Sequence, residues 1–382
     1  MMKHISALLI LLLILMFPCF SSDEDLYRAA SVGNPSDVVL AAVSTGSLFV
    51  EEEDGWNALF YAATNNADVT VLQLLLDNGF AVNQTDNQGM TPLMYCCEYN
   101  KAPSVTAFLL EKGADVQTRS PKGESALHRA CLGKAGKEVI DLLLKAGASA
   151  GQTNIYGQTA LHFAAYSGSG GDILTTLILA GAAVNQKDYI GKTALLYLME
   201  RQPDKDAIEA MLIFGANPDL ADNEGNTALM MAAGRANDGD IIKLLVRHGA
   251  KVESRNLAGV TALMYAAAYN QNLDVLDELI NAGAEIDTTS ITGMSALAYA
   301  AWHNSNRSIT SRLLAHGASI HSTDEKGQTP LMYAAAANPN VEVVKLLLQA
   351  GSDSDRKNLE GYSAREFVQM NPNKESIAPL FK

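Results

Sequence analysis

Between residues 326 and 351 the chain reads KGQTPLMYAAAANPNVEVVKLLLQAG. A hydroxyl residue, Thr329, precedes Pro330, a run of apolar and small residues follows, and a polar turn leads to the stripe Val343, Val344, Leu346, Leu347 and Leu348 before Gly351. The pattern predicts two short helices, over 331–336 and 341–349. A threonine hydroxyl caps the free N–H groups of the first, and proline is favoured in its first turn. Glycine at the end of the second supplies the left-handed conformation that closes a helix.

The stretch is one copy of a repeat. Glycine stands just ahead of a Thr or Ser position and a Leu at 55, 89, 123, 157, 191, 225, 259, 293, 327 and 361, always 34 residues apart. A second glycine series, 79, 113, 147, 181, 215, 249, 283, 317 and 351, keeps the same interval. Nine full copies result, and fixed spacing of this size predicts stacked units that cannot bury their apolar faces alone. Between the second glycine of one copy and the first of the next lie tips such as DNQG (86–89) and DNEG (222–225), the composition of a projecting turn.

The copies GMTPLMYCC (89–97), GESALHRAC (123–131), GQTALHFAA (157–165) and GQTPLMYAA (327–335), with the helix ends LLLKAGA (142–148) and LLVRHGA (244–250), resemble the ankyrin repeat family. The resemblance covers roughly residues 25 to 382. It implies an all-α solenoid of helix–turn–helix pairs with β-hairpin or turn fingers. The family period is one residue shorter. The extra residue falls between the two helices, where a longer turn is expected to be tolerated. Tetratricopeptide repeats share the period of 34, but their Trp and Leu-Gly-x-x-Tyr pattern is missing here.

This divides the chain into 1–21, 25–53, 54–359 and 360–382: a signal peptide, an N-terminal capping repeat, nine repeats and a C-terminal capping repeat. Lys3 precedes thirteen residues, Ile5 to Phe17, that form an apolar run too short for a bilayer, which takes about 20 residues. Pro18 and small residues follow, the pattern of a secretory signal cut after Ser21. The expectation is a secreted or periplasmic protein. The alternative is a chain held at a membrane by an uncleaved signal or a lipid on Cys19.

Net charge is −14, from 28 basic and 42 acidic side chains. That argues against nucleic acid and anionic membranes as partners and suits a basic one. The period also disposes of candidate chemistry. Cys97 and Cys131 share a slot that elsewhere holds alanine, so they read as core. His128 and His162 share a slot with Phe60, Met94 and Met230, which no catalytic base would do. The resemblance implies that these histidines bond locally and brace their turn. Tyr61, Tyr95, Tyr197, Tyr265, Tyr299 and Tyr333 form an aromatic ladder expected to be core. Glu51–Asp54 read as a solvated acidic run, and Asn83 and Asn306 open glycosylation sequons. No enzyme motif, cofactor or metal site, or small-molecule substrate is indicated.

The resemblance places partner contacts on the tips and first helices, in slots the fold leaves variable. There the tips carry Ile155, Tyr156, Tyr189, Ile190, Leu257 and Ile291, and the helices carry Tyr99, Tyr166, Tyr269, Trp302 and His303. Aromatics clustered in slots that burial does not demand point to a binding surface for another protein. The expected molecule is a monomeric, non-catalytic scaffold.

Overall fold

The computed structural model describes residues 23–45, 47–200 and 204–381. The apolar leader and Cys19 lie outside the described residues. The chain forms two compact units that divide between Ala183 and Val184. The first holds α1 (Asp23–Val32), α2 (Pro35–Thr45), α3 (Ala58–Asn65), α4 (Val69–Asp77), α5 (Pro92–Tyr95), α6 (Pro103–Glu111), α7 (Ala126–Leu132), α8 (Lys137–Lys145), α9 (Ala160–Ser167) and α10 (Gly171–Leu179). The second holds α11 (Ala194–Met199), α12 (Lys205–Ile213), α13 (Ala228–Arg235), α14 (Gly239–Arg247), α15 (Ala262–Tyr269), α16 (Leu273–Asn281), α17 (Ala296–His303), α18 (Arg307–Ala315), α19 (Pro330–Ala337), α20 (Val341–Gln349), α21 (Ala364–Phe367) and α22 (Lys374–Ile377). Within each unit, first helices pack on first helices and second on second. No helix among the described residues is long and apolar enough to cross a membrane.

The helix pair read from 326–351 is observed as α19 and α20, the first one residue longer at each end than its apolar stretch. Thr329 caps α19 by accepting from the Met332 N–H. The leucine after each first-helix start, Leu59 to Leu331 at intervals of 34, is buried, as are Leu75, Leu109, Leu143, Leu177, Met211, Leu245, Leu279, Leu313 and Leu347 in the second helices. Each such side chain contributes about 1.5–3 kcal/mol. Cys96, Cys97 and Cys131 are buried and unpaired, and burial pushes the Cys96 thiol up to about 12.

The tips contain no strand among the described residues. They are turns, three of them closed by an isolated bridge such as Thr289 to Ser295. Both glycine series have positive φ, but for different reasons. At Gly225 (φ +83) an added Cβ would sit 2.9 Å from the Leu257 nitrogen on the next tip, whereas at Gly215 (φ +87) it would meet nothing within 4 Å. The tips approach closely because most donate a backbone N–H to the tip before them. Leu257 donates to Glu224 at 2.9 Å, Ile291 to Ala258 at 3.0 Å and Glu325 to Thr292 at 3.0 Å. Gly215→Ala is therefore expected to cost about 1 kcal/mol, the left-handed strain alone. Gly225→Ala should cost about 2 kcal/mol, because the neighbouring backbone must also shift. Urea midpoints measure the difference, and equal costs would remove the close-approach argument.

The residue added to each repeat has a definite role, which corrects the expectation of a merely tolerated turn. In most copies it belongs to a turn whose asparagine side chain reaches back one repeat. Asn304 Nδ2 donates to Ala267 O at 2.9 Å and Asn270 O at 2.7 Å, and Asn338 donates to Ala301 O at 2.8 Å and Asn304 O at 3.0 Å. Asn66, Asn100, Asn270 and Asn371 do the same. These carbonyls end the preceding first helix and its turn, where no intrahelical N–H remains for them. A second asparagine two residues on, as in Asn306 and Asn340, caps the second helix and donates to the preceding turn. The first asparagine is replaced by Lys134, Gly168 and Ala236 in other copies; Lys134 and Gly168 are left-handed and Ala236 is extended.

Both sequon asparagines are part of this framework. Asn306 donates to Gln271 O at 2.9 Å. Asn83 donates to Gly113 O at 2.9 Å and accepts from the Asp115 N–H at 2.7 Å. A glycan on either nitrogen would displace its inter-repeat bond.

Candidate binding surface

The variable slots are exposed, as their sequence pattern predicts. In the first unit Tyr99, Ile155, Tyr156 and Tyr166 are exposed, with the Tyr99 ring 6.2 Å from that of Tyr95. In the second unit the tip residues Tyr189, Ile190, Leu257 and Ile291 are each more than half exposed. Their backbones do the structural work, so their side chains are free of it. Leu257 and Ile291 carry the tip-to-tip bonds through N–H groups that any residue but proline supplies. Pro121 occupies the same slot in the first unit, and there Arg119 bridges instead, donating to Gly123 O at 2.8 Å and to Thr153 O.

The second unit brings its helix aromatics together. Tyr269 stacks on His303 at 5.8 Å between centroids, His303 on Trp302 at 4.4 Å, and Trp302 on Tyr333 at 5.1 Å. Tyr265 adjoins Tyr269 at 6.1 Å. The five rings cross three successive first helices, α15, α17 and α19. Burial among them lowers the basicity of His303, so it joins the strip as a neutral ring at physiological pH. Two cavities flank the strip. One of about 480 Å³ is lined by Met230, Met231, Tyr265 and Tyr269 with Glu224 and Arg235. The other, about 500 Å³, is lined by Met294, Tyr299, Trp302, Met332, Tyr333 and Phe367.

Tyr265 and Tyr333 belong to the ladder expected to be core, and the structure changes that reading. Tyr95 and Tyr197 are buried, while Tyr61, Tyr265, Tyr299 and Tyr333 are half-buried. Their inner edges pack on the helices, and several hydroxyls are tethered to the tips. Tyr333 donates to Asp324 at 2.6 Å, Tyr197 to Asp188 at 2.7 Å and Tyr95 to Asp86 at 2.6 Å. Burial and the bonded carboxylate push the Tyr333 phenol far above its ordinary value, so it remains a donor. The aspartate turns its other oxygen to its own tip, accepting the Lys326 and Gln328 N–H groups in the Asp324 case. One carboxylate thus locks tip, helix and ring into a fixed relation. The signal was present in the sequence as an acidic or amide residue nine positions before five of the six tyrosines, with Ser290 standing before Tyr299. Arg129 fills the aromatic slot of its own repeat, with Glu98 at 2.5 Å and Glu124 at 2.9 Å neutralising it.

His128 and His162 do what the resemblance implied. His128 Nδ1 accepts from the Ser125 backbone N–H at 3.2 Å and lies 3.0 Å from its hydroxyl. His162 Nδ1 stands in the same relation to Thr159, at 3.1 and 2.9 Å. Each closes a capping box in which imidazole replaces the usual carboxylate.

With this geometry the comparisons with known proteins agree. Ankyrin repeats (3 copies) match by family model at residues 26–120, 100–188, 195–290 and 263–358. The chain belongs to the ankyrin-repeat family. Among solved structures, this ankyrin-repeat chain is similar to the crystal structure of the human ASB11 ankyrin repeat domain. The two share 25% sequence identity at a TM-score of 0.53, over 59% of this chain and 98% of that one. No curated protein matches the chain. Ankyrin repeats generally mediate protein–protein interaction, and the family is typically non-catalytic. The fold is that of an ankyrin-repeat solenoid with a 34-residue period.

Proposed function

We propose that this ankyrin-repeat protein is a non-catalytic scaffold that recognises a partner protein through the exposed aromatics of its first helices and tips. The observation that carries the reading is the strip Tyr265, Tyr269, His303, Trp302 and Tyr333. Five rings are in contact across three helices, and Tyr269, Trp302 and His303 among them are exposed, as are the tip residues Leu257 and Ile291 of the same unit. Each aromatic can bury about 150–250 Å² against a partner. The strip is rigid before binding, because its outer rings are anchored to the tips, so little side-chain entropy remains to be lost. Tyr99, Tyr156, Tyr166 and Tyr189 offer the same chemistry elsewhere along the chain.

The test uses the purified protein as bait against extracts of its own cell. Tyr269→Ala and Trp302→Ala are each expected to lower the affinity for the captured partner at least tenfold, while the helical circular dichroism stays unchanged. Undiminished capture of the same partner by the folded double variant would remove this surface from consideration.

We further propose that the scaffold works in an exported compartment. Support comes from the leader, in which Lys3 precedes the apolar run Ile5 to Phe17 and then Pro18 and small residues. Mass spectrometry of the protein from its own cell is expected to find a free N-terminus near Ser22. A lipid on Cys19 or an intact Met1 on membrane-bound protein would make it an anchored protein instead, and an intact Met1 on protein recovered from the cytoplasm would overturn export.

A further inference from the structure

We infer that the first unit carries a separate pocket for a cationic side chain, Lys or Arg, presented by a basic segment of the partner. The inference rests on the binding reading above in taking the cation from a partner protein, but it uses residues far from the aromatic strip in sequence.

The pocket lies between α1 and the first tip and has a volume of about 570 Å³. Its wall is made by Asp23 and Glu24, by the run Glu51–Asp54, and by Tyr27. The six carboxylates are exposed, and none forms an ion pair with a described residue. Glu52 is held in place by the Tyr61 hydroxyl, which donates to both its oxygens at 3.1 Å. Tyr61 in turn stacks on Tyr27 at 4.7 Å and meets the edge of Trp56 at 5.1 Å.

Tyr27 provides the second and independent observation. The side chain is only 5% exposed, yet its hydroxyl has no hydrogen-bond partner among the described residues. Buried hydroxyls are nearly always satisfied, and an orphan one in a cavity wall marks a place for a ligand atom. Burial first, then the charges of Glu52, Asp23, Asp54 and Glu51, push its phenol up to about 12. It therefore stays neutral with its lone pairs available to an N–H donor.

The chemistry selects the ligand. No group of three or more acidic, His or Cys side chains among the described residues comes together closely enough to hold a metal ion. Carboxylates spread around a cavity, with Tyr27 in its wall, fit an extended organic cation better. A guanidinium or ammonium gains charge-assisted hydrogen bonds from the carboxylates. The net charge of −14 would steer a basic segment toward the protein, and the pocket would seat it.

The experiment titrates the purified full chain into a fluorescein-labelled Gly-Arg-Gly-Lys-Gly-Arg-Gly peptide at physiological salt and reads anisotropy. Glu52→Gln with Asp54→Asn is expected to weaken binding at least tenfold. Glu138→Gln with Glu209→Gln, exposed carboxylates elsewhere in the fold, removes the same charge and should change it less than twofold. Tyr27→Phe keeps the stacked ring and should weaken binding about threefold. Equal losses in the two double variants would show a general charge effect and overturn the pocket. So would an unchanged affinity in both the pocket variant and Tyr27→Phe, or displacement of the peptide by millimolar calcium. Because no native partner is used, a failure here leaves the aromatic strip untouched. Loss of partner capture on changing Tyr269 and Trp302 likewise leaves the pocket untouched.

Discussion

Asn304→Ala is expected to destabilise the protein by about 4 kcal/mol, more than any leucine-to-valine change in its core. Asn304 is fully buried and works in four directions. Its amide nitrogen donates to Ala267 O and Asn270 O, and its oxygen accepts from the Asn306 N–H at 2.9 Å and from Gln271 Nε2 at 3.1 Å. Alanine removes all four contacts and leaves two carbonyls and an N–H inside the stack without partners. An abandoned buried group costs about 1–3 kcal/mol, so the total follows from the orphans more than from the bonds lost. Asn306→Ala, at an exposed cap, is expected to cost only about 1 kcal/mol. Urea unfolding gives the two values. Hydrogen exchange should show the excess opening in the first helices α15 and α17, on either side of the lost contact. A cost below about 1 kcal/mol for Asn304→Ala would mean that the asparagine ladder is decoration.

The second large effect is an acid sensitivity located at His128. Burial pushes its imidazole from 6.5 down to about 4, against the weaker opposing pull of the Gln158 carbonyl bond. The folded state therefore prefers the neutral ring, with Nδ1 accepting from Ser125 and Nε2–H donating to Gln158 O. Between about pH 6.5 and pH 4 the unfolded chain binds a proton that the folded one refuses. Stability must then fall as the pH falls through that window, and level off below it. At about 1.4 kcal/mol per pH unit of displacement, the loss between pH 7 and pH 4.5 is about 2–3 kcal/mol from this residue. His128→Met substitutes what sister repeats carry at Met94 and Met230. It should cost about 1 kcal/mol at pH 7 for the lost capping bonds, and flatten the acid dependence by the stated amount. Parallel thermal melts of the two proteins at both pH values decide it. Identical pH slopes would mean that His128 is not the group concerned.

The aromatic strip shows how far sequence reading carried toward a site. Tyr269, Trp302 and His303 were legible because a slot that other repeats fill with varied residues held rings here, and exposure agrees. Tyr265 and Tyr333 were assigned to the core from their regular spacing, and only half of that holds. Regular spacing shows that a slot has a fixed environment, not that the environment is dry. The deciding contact is the Asp324 carboxylate nine residues away, which draws the phenol outward to the tip. Glu51–Asp54 are exposed, as the expected solvated run, but nothing in the local sequence shows that α1 and Tyr27 lie against them.

The sequence by itself determined the unit. Short-range physics sets helix starts, glycine closures and the apolar stripe, and a constant interval propagates them, so one copy predicts nine. It also located the added residue between the helices. What that residue does was decided only by the stack, because the carbonyls that Asn270, Asn304 and Asn338 satisfy belong to the preceding repeat, 34 and 37 residues back. The same holds for the tip-to-tip bonds, the ring contacts across three helices and the acidic pocket. Each joins side chains or backbone from different repeats, and such partners become neighbours only once the repeats are packed.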